Sequence, residues 1–339
     1  MTAISLFGIL VLVKIIGAIV IAFLGVVIGL FYKGIDRKLA ARMQARVGPP
    51  IRQPFIDFFK LMIKENIVPQ NAVPWIFNGA PIMALVSSIT ILLYLPVGNI
   101  PPLLSGYGDI VLIVYLLTLP AIGMVVGGFA SGSPYASVGA QREMVMMMSY
   151  ELPLVTVVIA LGWKLSQVYP QLSVFSLAVI NAHPIWGLVG PLGFIGAILL
   201  FITLAAVTPG ELSKVPFDAP EAETELAGGI LVEYSGRNLA LFGLTDAVKT
   251  IVMISLTVVL FFPYNISHLL GLSVGAFALI VDVLFFFVKI FLIMFVEVIF
   301  VRIAFARLKI DQVSFAYWIP VAIIGLLGLA LIVLDTIIV

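Results

Sequence analysis

Five carboxylates, Asp218, Glu221, Glu223, Glu225 and Glu233, crowd into PFDAPEAETELAGGILVEYSG (216–236), with no basic residue among them. Only 10% of the chain is charged, so this is a concentration rather than a sample of the average. Carboxylates held together raise one another's pKa, so some members exchange protons near neutrality and respond strongly to a new charge nearby. Such a set suits proton movement coupled to an electrical event. The plain alternative is a solvated acidic loop, but Pro216, Phe217, Ala219, Pro220 and the run Ala227–Leu231 suggest packed, partly buried backbone.

Other chemistry is poorly supplied. There is no cysteine, which excludes disulfides, thiolate-held zinc, cysteine-ligated iron–sulfur clusters and a thiol nucleophile in this chain. The two histidines, His183 and His268, stand apart without metal-ligand spacing and read as ordinary loop residues. No glycine-rich nucleotide motif appears. No metal or cofactor is expected here, nor a nucleic-acid partner, and the chain is not expected to be catalytic by itself.

The remaining candidates are charges inside apolar segments. The chain is 62% hydrophobic with a mean hydropathy of +1.23, so it must be a polytopic membrane protein. A charge at the bilayer centre costs on the order of 2.5–3.5 kcal/mol, so each one needs a reason. Asp282, Lys289 and Glu297 fall within roughly an 80° sector at 100° per residue and form one polar stripe, too widely spaced to pair with one another. Glu143 and Glu151 share a face roughly 12 Å apart along the axis, a ladder suited to proton relay. Asp246 and Lys249, three residues apart, either pair with each other or join the same ion path. The alternative for the whole set is mutual neutralisation that holds the bundle in register.

The elements that must position these groups follow from apolar runs near 4–32, 78–96, 109–130, 143–163, 185–207, 238–262, 272–301 and 314–337. The expected fold is therefore all-α: a single membrane domain over 1–339 with about eight transmembrane helices and no internal repeat. Segment 33–77 forms a cytoplasmic loop whose residues 54–66 carry Phe55, Phe58, Phe59 and Met62 at helical spacing, an interfacial amphipathic helix too short to span. Segment 208–237 is the acidic cytoplasmic loop. Fourteen of the eighteen Lys and Arg fall in the four loops assigned to the inside, against Lys164 alone outside, which sets both termini outside.

Three segments resemble complex I subunit 1, the H subunit in bacteria, and its counterparts in membrane-bound hydrogenases. They are Asp36-Arg37-Lys38 with Arg42 to Pro49, Gln53-Pro54 and KLMIKENIVP; Ala140-Gln141 with Ser149-Tyr150-Glu151; and PFDAPEAETELAGGILVEYSG. The resemblance implies a heel subunit that joins a cytoplasmic electron-transfer arm to ion-pumping membrane subunits. Its basic residues Arg37, Lys38, Arg42, Arg46 and Arg52 would dock the arm, and the acidic loop would couple redox events to an ion path of Glu143, Glu151, Asp246, Lys249, Asp282, Lys289 and Glu297. Iron–sulfur clusters, and a nickel–iron centre on the hydrogenase branch, would lie in partner subunits. The direct join of Gly48-Pro49-Pro50-Ile51-Arg52 to Gln53-Pro54 and the Arg142-Glu143-Met144 triplet resemble the hydrogenase or sulfur-reducing branch, with ferredoxin as donor. Ser149 to Leu154 resembles quinone-reducing complex I instead. The short turn predicts that any quinone passage between the interfacial helix and the first helix is closed or vestigial. A stand-alone secondary transporter is the third reading, against which the lack of repeated halves counts.

Overall fold

The computed structural model describes residues 3–271 and 275–338, with side chains from residue 11 onward except those of 268 and 269, so the expectation for the His268 side chain lies outside the described residues. Among the described residues the regular structure is helical, apart from an isolated bridge between Val97 and Ile100, with turns and loops between the helices. Eight helices are long and apolar enough to cross a membrane. They are α1 (Ala3–Met43), α3 (Pro74–Leu92), α4 (Ile110–Ala130), α5 (Pro134–Val168), α6 (Pro191–Glu211), α7 (Gly236–Phe261), α8 (Ala276–Ala304) and α9 (Ile310–Ile338), with a short α2 (Gln53–Ile63) between the first two.

Burial ranks these helices. In α7, 89% of the most apolar window is buried, against 6% in α1, so α7 is the axis and α1 the rim. The axis is packed by α1, α2, α3, α6 and α8, while α6 and α9 form a close pair beside α5. Close approach of α1 to α7 rests on Gly29, where a Cβ would lie 2.9 Å from the Ala247 carbonyl oxygen.

Several boundaries differ from those that apolar runs suggest. α5 begins nine residues earlier, at Pro134, because Arg142 and Glu143 sit in a helix wall packed against the acidic loop rather than lipid, with Gln141 exposed beside them. It also continues to Val168, so Lys164 is helical and buried, not an outside-loop residue. α6 starts at Pro191, a residue suited to the first helical turn, and runs on to Glu211. α2 ends at Ile63, and its apolar residues divide between two environments. Phe55 and Phe58 pack on Leu30, Leu244 and Ala247, whereas Phe59 and Ile63 are exposed. α8 contains a π-helical segment, Phe295–Phe300, that interrupts the uniform 100° step on which the stripe geometry rests.

The end of the bundle away from the acidic loop is fastened by one buried ion pair. Lys164 of α5 meets Asp335 of α9 at 2.8 Å, both almost fully buried, and Asp335 also accepts the Gly190 and Gly193 backbone N–H groups at the start of α6. One carboxylate thus binds three helices and answers the unpaired donors of a helix N-terminus. Lys164→Met leaves that carboxylate buried without its cation, a loss on the order of 3–5 kcal/mol. The purified protein carrying it should melt at a clearly lower temperature in a thermal-shift assay, and Lys164→Met with Asp335→Asn should recover part of the loss.

Candidate functional site

The acidic loop links α6 to α7, and its counter-charges come from elsewhere in the chain. Arg307, between α8 and α9, donates to both carboxylate oxygens of Asp218 at 2.9 and 2.5 Å. Arg142 of α5 pairs with Glu225 and donates to the Ala219 carbonyl at 3.3 Å. Glu223 is exposed and Glu233 half-buried. The loop folds back sharply at Ala227-Gly228-Gly229, all at positive φ, and a Cβ on Gly229 would stand 1.9 Å from the Pro220 carbonyl oxygen. That reversal seats Ile230 against Gly128 and Gly139 and places Glu221 in the wall of a partly open chamber.

The chamber has a volume of about 220 Å³ and lies where α1, α6, α7 and the loop meet. Its charged wall comprises Glu221, Lys214, Lys33, Asp246, Glu211 and Lys249. Asp246 is held between Lys33 at 2.7 Å and Lys214 at 2.6 Å, whereas Lys249 pairs with Glu211 at 2.8 Å. The Asp246–Lys249 pair offered by their spacing therefore does not form: Asp246 is taken by cations from α1 and the loop, and Lys249 by the last residue of α6. Glu211 and Lys249 are 2% and 3% exposed and approach without the alignment of a directed hydrogen bond, so each leaves hydrogen-bonding capacity free. Glu143, 1% exposed, accepts from the Ser213 hydroxyl at 3.4 Å and keeps its other oxygen unpartnered, as does the buried Tyr150 hydroxyl nearby. Ser213 lines the chamber and links it to Glu143.

Outside the membrane-spanning segments, two members have shifted protonation. Burial pushes the Glu221 carboxyl up, reinforced by the Asp246 carboxylate and opposed by Lys214 and Lys33. For Lys214, burial acts downward, but the Asp246 carboxylate outweighs it and the net shift is upward. The chamber therefore has, on its loop side, a carboxyl that ionises less readily than a free one, beside a lysine that gives up its proton less readily.

The other expected site residues lie apart. Glu151, half-buried, continues from Glu143 along α5 toward the same cluster. Asp282 is buried and accepts from the Ser267 hydroxyl at 2.7 Å and its backbone N–H at 2.9 Å. Lys289 donates to the Phe262 and Tyr264 carbonyls at 2.8 and 2.9 Å, on the rim of an apolar hollow. Glu297 is buried without a hydrogen bond, since neighbouring Thr208 and Thr257 donate to the carbonyls of their own helices. The three do not join the chamber. Among the basic residues, Arg37 pairs with Asp57 at 2.8 Å and so ties α2 to α1, and burial of that carboxyl is outweighed by the Gln53 and Arg37 donors, which hold its pKa down. Arg46 and Arg52 are exposed. Lys38 and Arg42 flank a groove on the outer side of α1. His183 stacks on Tyr169 with ring centres 4.2 Å apart. Among the described residues no three His, Cys, Asp or Glu converge as a metal site.

The turn at 48–52 presses tightly on α1, where a Cβ on Gly34 would lie 2.1 Å from the Ile51 carbonyl oxygen. Closure is nevertheless incomplete. A crevice of about 80 Å³ between α1, α2 and α7, bounded by Pro54, Phe58 and Leu244, shares Lys33, Leu61 and Gly243 with the chamber.

Comparison with known proteins gives this geometry a family. The NADH dehydrogenase family profile matches residues 15–333. The chain belongs to the NADH dehydrogenase family. Within it, the NADH-quinone oxidoreductase H subunit of Syntrophotalea carbinolica is 31% identical over 312 residues, 87% of each chain. The same oxidoreductase component of Anoxybacillus flavithermus is 33% identical over 328 residues, 93% of each chain. Among solved structures, a chain of the membrane-bound sulfane sulfur reductase, an archaeal respiratory membrane complex, superposes with a TM-score of 0.79 at 28% identity, covering 94% of this chain and 99% of that one. The family is thus one of membrane subunits of complex I-like respiratory assemblies.

Glu211, Lys33 and Lys214 are members of the chamber that sequence reasoning did not select as site residues. Glu211 ends a long apolar run and reads as the start of a loop, so only the extent of α6 would have revealed it. Because the Glu221 pKa is raised in the folded protein, its ionisation costs the folded state. Stability of the wild type relative to Glu221→Gln should fall as pH rises through that raised value, and the two should converge in acid. Thermal melts of the assembled complex over a pH series measure the crossing.

Proposed function

We propose that this chain is the membrane heel of a ferredoxin-linked, ion-translocating respiratory complex of the membrane-bound hydrogenase or sulfur-reductase type. Its basic end faces the cytoplasm, and both termini lie on the opposite side. The observation that carries the reading is the unbroken sequence of titratable groups from the exposed acidic loop, through Glu221 and the Asp246–Lys214–Lys33 cluster, to Glu211–Lys249 and the buried Glu143. A change of charge in an electron-transfer arm docked against Glu223, Glu225, Arg46 and Arg52 perturbs the loop. The perturbation passes inward because buried ionisable groups interact strongly across a few ångströms of low-dielectric interior. Proton or sodium movement is completed in neighbouring membrane subunits, and the redox centres, iron–sulfur clusters and a nickel–iron site among them, belong to the arm. Length and fold shared with the sulfane sulfur reductase chain support this branch.

A quinone-reducing complex I is the second reading, favoured by the crevice between α1 and α2, which shares Lys33, Leu61 and Gly243 with the chamber wall. One assay separates the two and tests both. The intact complex, in proteoliposomes and supplied with reduced ferredoxin, should turn over without quinone and be insensitive to quinone-site inhibitors. Glu143→Gln should keep most of the electron transfer yet cut the ion-to-electron ratio several-fold. Saturable acceleration by added quinone, abolished by an inhibitor, would select the second reading. An unchanged ratio in Glu143→Gln would remove Glu143 from the path.

A further inference from the structure

The outer face of α1 carries two cations that the proposed coupling does not use. Lys38 and Arg42 stand one helical turn apart at the mouth of a groove about 420 Å³ in volume, between α1, the turn at Ile51 and Phe291 of α8. Among the described residues neither is paired with a carboxylate. The rest of the lining, Ile35, Leu39, Ile51 and Phe291, is apolar.

Below the cations, toward the membrane, the same face of α1 is bare hydrocarbon. Phe31, Leu24 and Val20 are 47%, 48% and 49% exposed, and with Ile35, Lys38 and Arg42 they recur at helical spacing on one side of the helix. At 1.5 Å per residue the stripe from Val20 to Arg42 is about 33 Å long, cationic at one end and apolar over the rest. A charged head on a long apolar body is what such a surface complements. A soluble acidic peptide would satisfy the cations but leave the floor and the stripe uncovered.

We propose that this groove seats an anionic membrane lipid, its phosphate between Lys38 and Arg42 and an acyl chain along the stripe of α1. Each basic side chain at a membrane surface contributes about 1 kcal/mol of attraction to an anionic headgroup, so removing both should weaken retention roughly thirtyfold.

The test uses the assembled complex, in nanodiscs of phosphatidylcholine carrying a minor fraction of phosphatidylglycerol, re-extracted in mild detergent and measured by native mass spectrometry. The wild type should retain a phosphatidylglycerol molecule that Lys38→Gln with Arg42→Gln does not, while Lys38→Arg keeps it. Equal retention by the double variant overturns the proposal. Loss of the hydrophilic arm with the lipid still held would show instead that these cations dock a protein. Displacement of the lipid by inorganic phosphate alone would make the groove a free-anion site, again overturning it. If the double variant fails to assemble, the wild-type complex depleted of anionic lipid and titrated with phosphatidylglycerol carries the test: saturable uptake supports the site, and only non-saturating uptake contradicts it.

Discussion

The arrangement depends on a buried ion pair, Lys249 of α7 with Glu211 at the end of α6. Taking either charge out of water alone costs several kcal/mol, so the two side chains must meet, and meeting fixes where α6 stops beside the axial helix. Everything at the charged end follows from that. With Lys249 committed to Glu211, Asp246 is free to hold Lys33 and Lys214, which brings the rim helix and the loop onto the same spot. The loop then has only one way to lie, across α5, where Arg142 and Arg307 take its outer carboxylates and the reversal at Gly229 turns Glu221 inward.

This order of dependence explains why a chain so poor in charge places much of it in one region. Scattered intramembrane charges would each need a separate partner and gain little. Gathered around a chamber with room for water, they stabilise one another incompletely, and incomplete satisfaction is the condition for responsiveness. Glu143 is held by one long bond from Ser213 and buries its other oxygen without a protein partner. Lys164–Asp335 at the opposite end is the contrast: its carboxylate accepts from a lysine and two backbone donors, and it acts as a fastening.

The sequence disclosed composition-driven features well. Membrane class and the number of spanning helices are consequences of local hydropathy, and among the described residues both survive in the structure. Partner choice was not legible in the same way. Asp246 and Lys249 are neighbours in sequence yet look to different helices, because long-range packing supplies Lys33, Lys214 and Glu211 at shorter range than they offer each other. Lys164 and Asp335 are 171 residues apart, and no local pattern couples them. Helix extents failed for a related reason: apolar counting stops where polar residues begin, but α5 continues through Arg142 and Glu143 because the acidic loop rather than lipid packs against them.

The claim that the Glu211–Lys249 pair carries charge events from the loop into the membrane is tested most directly by neutralising both partners together. Glu211→Gln with Lys249→Met removes the pair without stranding a buried charge, so assembly should persist. Measured as ions moved per electron in proteoliposomes, the double variant should transfer electrons with translocation largely lost. Translocation at the wild-type ratio would contradict the account and leave the pair as a structural fastening only.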